Sequence, residues 1–260
     1  MALQVSSLSS GQSVSQQDTY LSKPPFLALI TEPDACSNEQ RMEETYLAIQ
    51  NAISSNTIEL VSIRLFQSEE EDAEDTGVFD RAVELTQRLV DLSKTQRESG
   101  KRPFQVVCSS DWVEVALQAK AHGIHVKEKH LSIIPQLRKS FPYPIVIGTS
   151  THSLRSALES FETYRPQYYF VGTCFPTQSH PEKDFKDLEG PKLPSIVKKR
   201  LSQGSNECPK VLAIGGINEK NCHIPVAYGA DGVAAIRSIM KAKNPSAVAV
   251  QIHANMINRF

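Results

Sequence analysis

Short apolar runs alternate with longer amphipathic stretches along most of the 260-residue chain. The runs are rich in β-branched and aromatic residues and are bounded by glycine or proline, a pattern that predicts strands buried on both faces. Eight such runs occur, at residues 26–30, 58–63, 104–108, 124–126, 145–147, 168–171, 211–214 and 232–236. Between them, the spacing of apolar residues predicts amphipathic helices, most clearly over 79–97, 111–121 and 153–163.

Eight strand–helix units in about 235 residues predict one α/β domain, a (β/α)8 TIM barrel over residues 26–260. A doubly wound open sheet is the alternative, because strand–helix alternation is the same in open and closed sheets. Residues 1–25 are rich in Ser and Gln and are interpreted as a disordered or targeting tail outside the fold. We therefore expect a cytoplasmic protein, or a protein of plastids or mitochondria if the tail is a transit peptide.

The composition narrows the classes of function. Lys plus Arg number 28 and Asp plus Glu 29, so the chain lacks the overall positive charge typical of nucleic-acid binding. No stretch approaches the roughly 18 apolar residues of a membrane span. Five cysteines without a C-x-x-C pair indicate neither a disulfide framework nor a structural zinc site. We therefore expect a small-molecule ligand and no nucleic-acid or membrane partner.

The segment VLAIGGIN, residues 211–218, places two glycines at the end of the seventh predicted strand. Backbone N–H groups at such a turn, followed by a helix predicted to begin near Asn218, can hold a phosphate without side-chain obstruction. In barrels, phosphate sites are commonly built by the loops after strands seven and eight. The sequence therefore predicts a phosphate site formed by Gly215, Gly216 and the turn at 235–238.

Several segments resemble the thiamine phosphate synthase and thiazole tautomerase family. The matching motifs run in one order over roughly residues 26–257 and include VSIR at 61–64, IGTSTHS at 147–153, YYFVGTCFPTQSH at 168–180, AIGGIN at 213–218 and GADGVAAI at 229–236. The resemblance implies a (β/α)8 barrel that binds a phosphorylated thiazole or thiamine phosphate. The family's synthases join a thiazole phosphate to a pyrimidine diphosphate held with Mg²⁺. Its tautomerases only shift a double bond in a thiazole phosphate carboxylate.

The resemblance implies ligand contacts at positions that match the family's motifs. These are Gly215, Gly216, Ile236, Arg237, Ser150, Thr177, Ser179 and His180. Arg237 stands where the family usually has Ser, and His180 where it usually has Lys. His152 follows the fifth strand, where the tautomerase branch uses a histidine as acid and base, and Arg64 is retained from the family's diphosphate motif. Both are expected to be catalytic.

Most residues that would hold Mg²⁺ and diphosphate in a synthase are replaced. The family motif Gln-x-Arg-x-Lys reads Ser62, Arg64 and Phe66 here, and His130 stands at the second metal-binding Asp. Asp111 is the one substitute metal ligand, and its place before an amphipathic helix also suits an N-cap role. The cation-rich segment at 127–130 lacks the oxygen ligands that Mg²⁺ prefers.

The surviving residues favour metal-free, tautomerase-type chemistry with His152 as acid and base and no required cofactor. Mg²⁺-dependent synthesis of thiamine phosphate is the first alternative. A catalytically silent phosphate-binding or regulatory protein is the second. The acidic run at 69–75 is predicted to be a solvated loop, and it would disfavour a diphosphate nearby. His125, on the fourth strand, is expected to be a packed barrel residue.

Overall fold

A computed structural model describes residues 24–65, 77–178, 184–203 and 208–258. Within these ranges eight parallel strands pair in the order β1 to β8, and β8 pairs with β1 to close a barrel. This confirms the predicted (β/α)8 fold over the open sheet. Residues 1–23 of the predicted tail and the acidic run at 69–75 lie outside the described residues, so both interpretations stay predictions.

Each strand is followed by at least one helix, which returns the chain over the outside of the barrel and keeps all strands parallel. The strands are β1 Phe26–Ile30, β2 Leu60–Ile63, β3 Gln105–Ser109, β4 Gly123–Val126, β5 Val146–Thr151, β6 Tyr168–Val171, β7 Lys210–Ile214 and β8 Gly232–Ala235. The helices are α1 Glu39–Ile53, α2 Gly77–Glu98, α3 Val113–Gln118, α4 Ile134–Ser140, α5 Leu154–Tyr164, α6 Leu193–Leu201, α7 His223–Tyr228, α8 Arg237–Met240 and α9 Pro245–Ile257. In the part of the chain that the structure describes, no helix is both long and apolar enough to cross a bilayer.

Alternating residues of each strand divide the core into two layers. Ala28 and Tyr168 pack inside the barrel, whereas Leu27 and Leu29 pack in the outer layer beneath the helices. Because both faces are covered, all five residues of β1 are buried, which explains its uninterrupted apolar sequence. The barrel interior is filled with side chains, so a ligand has room only at the ends of the barrel.

The fifth strand is longer than its apolar pattern predicts. It continues to Thr151, because Ser150 and Thr151 pair with β6 although neither is apolar. Ser150 therefore lies within the strand, at its carboxyl end, and its position is set by the sheet.

The helix after β7 begins at His223, and the prediction that it begins near Asn218 is wrong. Asn218 instead forms a side-chain turn, in which its Oδ1 accepts a hydrogen bond from the Lys220 N–H at 2.8 Å. The Asn221 amide closes the same turn by donating to the Gly216 carbonyl oxygen at 2.8 Å. Asparagine side chains compete with the helix for backbone groups in this way, and the competition delays the helix by one turn.

Candidate active site

The carboxyl ends of five strands surround a cavity of about 380 Å³. Its wall includes eight of the predicted site residues: Arg64, Ser150, His152, Thr177, Gly215, Gly216, Ile236 and Arg237. They come from distant parts of the sequence, and they meet because parallel strands bring all their carboxyl ends to one mouth. Ser179 and His180 lie outside the described residues, and their roles stay predictions.

The glycine turn after β7 forms one wall of the cavity and requires both glycines. Gly215 and Gly216 have φ of +98° and +64°. A Cβ at Gly216 would lie 2.5 Å from the Pro176 carbonyl oxygen, so a side chain there would collide with the loop after β6. Among the described residues, neither glycine N–H has a hydrogen-bond acceptor. The turn therefore offers open amide donors to an anion.

Two further polar groups of the cavity have no hydrogen-bond partner among the described residues. The buried Arg64 Nε and Ser238 Oγ make no hydrogen bond to the described residues, and both side chains line the cavity. Leaving such a group unpaired costs about 1–3 kcal/mol, so the exceptions usually have a functional reason. Together they indicate a polar ligand that accepts hydrogen bonds. Ser238 belongs to the turn at 235–238 that the sequence predicts to hold a phosphate, although the sequence did not single it out as a ligand contact.

A cluster of ion pairs around Glu32 lies at the β1–β2 edge of the cavity. The nearly buried Glu32 lies within ion-pair distance of three cations, Arg41 (2.7 Å), Lys241 (3.3 Å) and Arg237 (3.4 Å). Burial lowers the pKa of Arg64, repulsion by Arg237 lowers it further, and Glu32 acts in the opposite direction. Asp34 and Glu44 also pair with Arg41, at 3.0 and 3.6 Å. The cations that line the cavity itself, Arg64 and Arg237, suit an anionic ligand.

His152 and Glu189 form an acid–base pair at this cavity. The His152 Nδ1 lies 3.4 Å from Glu189 Oε1. The other carboxylate oxygen of Glu189 accepts a hydrogen bond of 2.5 Å from the Thr173 N–H, which holds the carboxylate in place. A carboxylate beside Nδ1 can fix the orientation of the imidazole, which leaves Nε2 for contact with a ligand. Sequence reasoning missed Glu189, because no motif relates it to His152.

His125 is a packed barrel residue, as expected, and it also connects the interior to the cavity. Its ring stacks on Phe170 at a centroid distance of 4.6 Å. Its Nε2 lies 2.8 Å from Ser150 Oγ, and its Nδ1 lies 3.1 Å from the Tyr168 hydroxyl. Burial, aided by the charge of Arg64, lowers the pKa of His125 to about 3. The ring is therefore neutral near pH 7 and carries one N–H.

Comparison with known proteins identifies the family. The sequence model described as "Thiamine monophosphate synthase" matches residues 27–239. The chain belongs to the thiamine monophosphate synthase family. Three curated relatives are named thiamine-phosphate synthase. The Pyrococcus furiosus protein is 31% identical, and the match covers 61% of this chain and 71% of the relative. The Mannheimia succiniciproducens protein is 38% identical, with 55% of this chain and 62% of the relative covered. The Streptococcus suis protein is 33% identical, with 52% of this chain and 55% of the relative covered. For the latter two, the chain spans less than two thirds of the relative's length.

Solved structures agree with the barrel fold of this thiamine monophosphate synthase family member. A thiamine phosphate pyrophosphorylase from Pyrococcus furiosus superposes with a TM-score of 0.64 at 21% identity, over 89% of this chain and 95% of that one. An orotidine 5'-phosphate decarboxylase from Pyrococcus horikoshii superposes with a TM-score of 0.53 at 14% identity, over 88% and 98%. At these identities the likeness concerns the fold alone.

The residues at the positions where synthases of the family hold Mg²⁺ suit that metal poorly in this chain. Asp111, the substitute Mg²⁺ ligand, forms a close ion pair with the Lys127 ammonium and lies 3.4 Å from His130 Nδ1. Across the described ranges, no three His, Cys, Asp or Glu side chains group as metal ligands. A single carboxylate already balanced by an ammonium offers a hard divalent cation too few oxygen ligands, so these residues do not fit Mg²⁺.

The predicted N-cap role of Asp111 is wrong. Asp111 lies inside the 3₁₀ turn Ser110–Trp112, and the N-cap of α3 is Trp112, whose side chain makes no capping hydrogen bond. The Asp111 side chain is 4% exposed and faces Lys127, whose attraction outweighs that of the helix N–H groups. Phe66, which stands at the Lys position of the family's diphosphate motif, lies outside the described residues.

Proposed function

We propose that the chain binds a thiazole phosphate in this cavity and catalyses a tautomerase-type proton shift without a metal. The observation that carries the proposal is the acid–base pair of His152 and Glu189, which lies at the same cavity as the unpaired donors of Arg64 and Ser238. Membership of the thiamine monophosphate synthase family supports the class of ligand.

The phosphate is assigned to the side of the cavity built by the β7 and β8 loops. The open N–H groups of Gly215 and Gly216 and the unpaired Ser238 hydroxyl supply donors there. Arg237 lines the same side and adds a charge-assisted contact, which is roughly twice as strong as a neutral hydrogen bond. Ile236 and Thr177 complete the wall and place the thiazole ring toward His152.

The proton shift needs one group that takes a proton from one ligand atom and returns it to another. Neutral His152 accepts the first proton at Nε2, and the resulting imidazolium donates it to the second atom. Glu189, beside Nδ1, stabilises the imidazolium between the two transfers. Protons and electrons balance within the ligand, so the reaction needs no metal, oxidant or second substrate.

Synthesis of thiamine phosphate is the second candidate function. The curated relatives carry the name of that enzyme, and Arg64, Ser150 and Thr177 are retained at the cavity. Against it stands Asp111, whose charge is balanced by Lys127, because a departing diphosphate needs its developing charge neutralised.

Proton exchange into a thiazole phosphate carboxylate, followed by NMR in deuterated water, tests the proposal. We expect exchange that EDTA does not affect and that His152→Gln slows by roughly 10²- to 10⁴-fold. His130→Gln is the matched control, because His130 lies beside Asp111 on the other side of the mouth. Diphosphate release from the pyrimidine diphosphate with Mg²⁺ is measured in parallel.

Each result has a distinct meaning. Exchange that is equal in His152→Gln and in the unmodified chain would remove His152 from its role. Diphosphate release that is lost in Arg64→Ala would replace the proposal with synthesis. If neither reaction occurs but thiazole phosphate raises the melting temperature, the chain is a binding protein and the catalytic proposal is wrong.

A further inference from the structure

Three side chains form a continuous hydrogen-bonded chain from the filled barrel interior to the cavity. The Tyr168 hydroxyl contacts His125 Nδ1, and His125 Nε2 contacts Ser150 Oγ. Tyr168 is fully buried, and Ser150 lines the cavity. Because a neutral imidazole has one N–H and one acceptor nitrogen, the direction of one hydrogen bond determines the direction of the other.

The direction is set at the buried end of this chain. The Tyr168 ring packs against Gly148, where an added Cβ would lie 1.9 Å from the ring carbon that bears the hydroxyl. Among the described residues, the only hydrogen-bond partner of that hydroxyl is His125 Nδ1. If the hydroxyl only accepted, its own proton would be buried without an acceptor, so Tyr168 donates to Nδ1.

The direction of the hydrogen bond from Tyr168 determines which nitrogen of His125 carries the proton. His125 carries its single proton on Nε2, and this N–H donates to Ser150 Oγ at 2.8 Å. The low pKa of His125, about 3, agrees with a neutral ring. Since Ser150 Oγ accepts from His125, its own hydroxyl proton is directed to a ligand. Arg64, whose Nε has no described partner, lines the same cavity as a second donor.

We propose that Tyr168 and His125 orient the Ser150 hydroxyl so that its proton faces the ligand, which together with Arg64 favours ligands carrying a carboxylate at the inner end of the cavity. Tyr168 and His125 are then positioning residues that act through Ser150. The inference rests on the proposed thiazole phosphate function. It adds that the inner subsite presents two donors, so a carboxylate fits it better than a group that can only donate.

The first test is the tautomer of His125 in the free protein, read from the ¹⁵N chemical shifts of its ring. We expect the Nε2–H form, with Nδ1 as acceptor, near pH 7. In Tyr168→Phe the donor to Nδ1 is missing, and we expect a mixture of tautomers. An Nδ1–H ring or a protonated ring in the unmodified protein would overturn the inference, whatever the ligand is.

The second test compares the dissociation constants of thiazole phosphate with and without the carboxylate. We expect the carboxylate to raise affinity, and Ser150→Ala to reduce this advantage about 10-fold, the loss of one hydrogen bond to a charged group. Tyr168→Phe should reduce it by a smaller factor. Tyr169→Phe is the matched control, because its buried hydroxyl contacts Ser160 and the Ala157 carbonyl on the outer side of the barrel.

The outcomes separate the two proposals. An unchanged carboxylate advantage in Ser150→Ala, with binding intact, would overturn the role of Ser150 and leave the proposed function standing. Failure of the unmodified protein to bind either thiazole phosphate would reject the proposed function, and with it the ligand named here. Equal losses in Tyr168→Phe and Tyr169→Phe would also overturn the inference, because they would mark a general effect on packing.

Discussion

On the β3–β4 side of the barrel mouth, the Asp111 carboxylate pairs with the Lys127 ammonium, whereas the β5–β8 side lines a cavity in which some polar groups have no hydrogen-bond partner among the described residues. The Asp111 carboxylate is buried against the Lys127 ammonium. Across the mouth, Arg64 Nε and Ser238 Oγ are buried and make no hydrogen bond within the described residues. Both sides hold residues at positions where the family binds ligands.

The difference separates polar residues that pair within the protein from polar residues that are available to a ligand. A charge that its own chain neutralises contributes to stability and needs no ligand. A buried donor without a partner lowers stability, so its retention indicates an external group that completes it. Ser109 Oγ and Trp112 Nε1 on the β3 side are also buried without a hydrogen-bond partner among the described residues, but neither lines the cavity. The cavity lining therefore places the ligand site on the β5–β8 side, together with Arg64 after β2.

The largest effect is expected on ligand affinity when Arg64 is substituted, in comparison with Lys127, a cation on the opposite side of the mouth. Arg64→Met should weaken thiazole phosphate carboxylate binding by roughly 10- to 100-fold, because it removes a charge-assisted contact. It should not lower the melting temperature, because burial of the Arg64 guanidinium and its repulsion by Arg237 together outweigh its attraction to Glu32. Calorimetric titration and thermal unfolding measure the two effects.

Lys127→Met should have the opposite effects on ligand affinity and on stability. It should leave ligand affinity nearly unchanged and lower the free energy of unfolding by about 1–2 kcal/mol, since Asp111 keeps its burial but loses its partner. The estimate is below that of a fully buried pair because the Lys127 side chain is 43% exposed. The comparison of the two sides would fail if Lys127→Met weakened binding as much as Arg64→Met.

A loss of stability of similar size is expected from a substitution in the glycine turn of the binding side. Gly216→Ala should destabilise the protein by about 2 kcal/mol, because the left-handed backbone is strained and the new Cβ lies 2.5 Å from a carbonyl oxygen. Gly100→Ala is the control, since Gly100 has φ of +73° but no atom within 4 Å of an added Cβ. Urea unfolding measures both variants. Equal losses would show that the contact of Gly216 with the β6 loop contributes nothing.

The smallest effect concerns Mg²⁺. Because Asp111 is already paired, millimolar Mg²⁺ should shift the melting temperature of the unliganded protein by less than about 1 °C. Asp111→Asn should leave this response unchanged. A clear stabilisation by Mg²⁺ that disappears in Asp111→Asn would show that the β3–β4 side binds the metal, and the contrast between the two sides would not hold.

Much of the barrel was predictable because each strand, buried on both faces, leaves an uninterrupted apolar run. The bounds of β1 and β6 agree with the pattern, since glycine, proline or polar residues flank those runs. The pattern did not reveal the end of β5, whose polar Ser150 and Thr151 are held by pairing with β6. Nor did it reveal the delayed start of α7, which depends on side-chain hydrogen bonds of Asn218 and Asn221.

The candidate site was predictable where the chain retains a local motif. The glycine turn, His152 and Arg64 each stand in a segment that resembles the family, and all line the cavity. Glu189 lacked such a signal, because its relation to His152 exists only after β5 and the loop after β6 approach each other. The same holds for Asp111, whose side chain is recruited by Lys127 from the next strand's loop.

The sequence by itself determined the number and order of the strands, the family, and the residue types available at the mouth, because these depend on local composition and short motifs. Only the tertiary structure decided which charged groups pair with another residue and which line the cavity. The pairing of a carboxylate with an ammonium, and the hydrogen bonds that link Tyr168 through His125 to Ser150, depend on distances of a few ångström between residues far apart in the chain. Those distances exist only in the closed barrel.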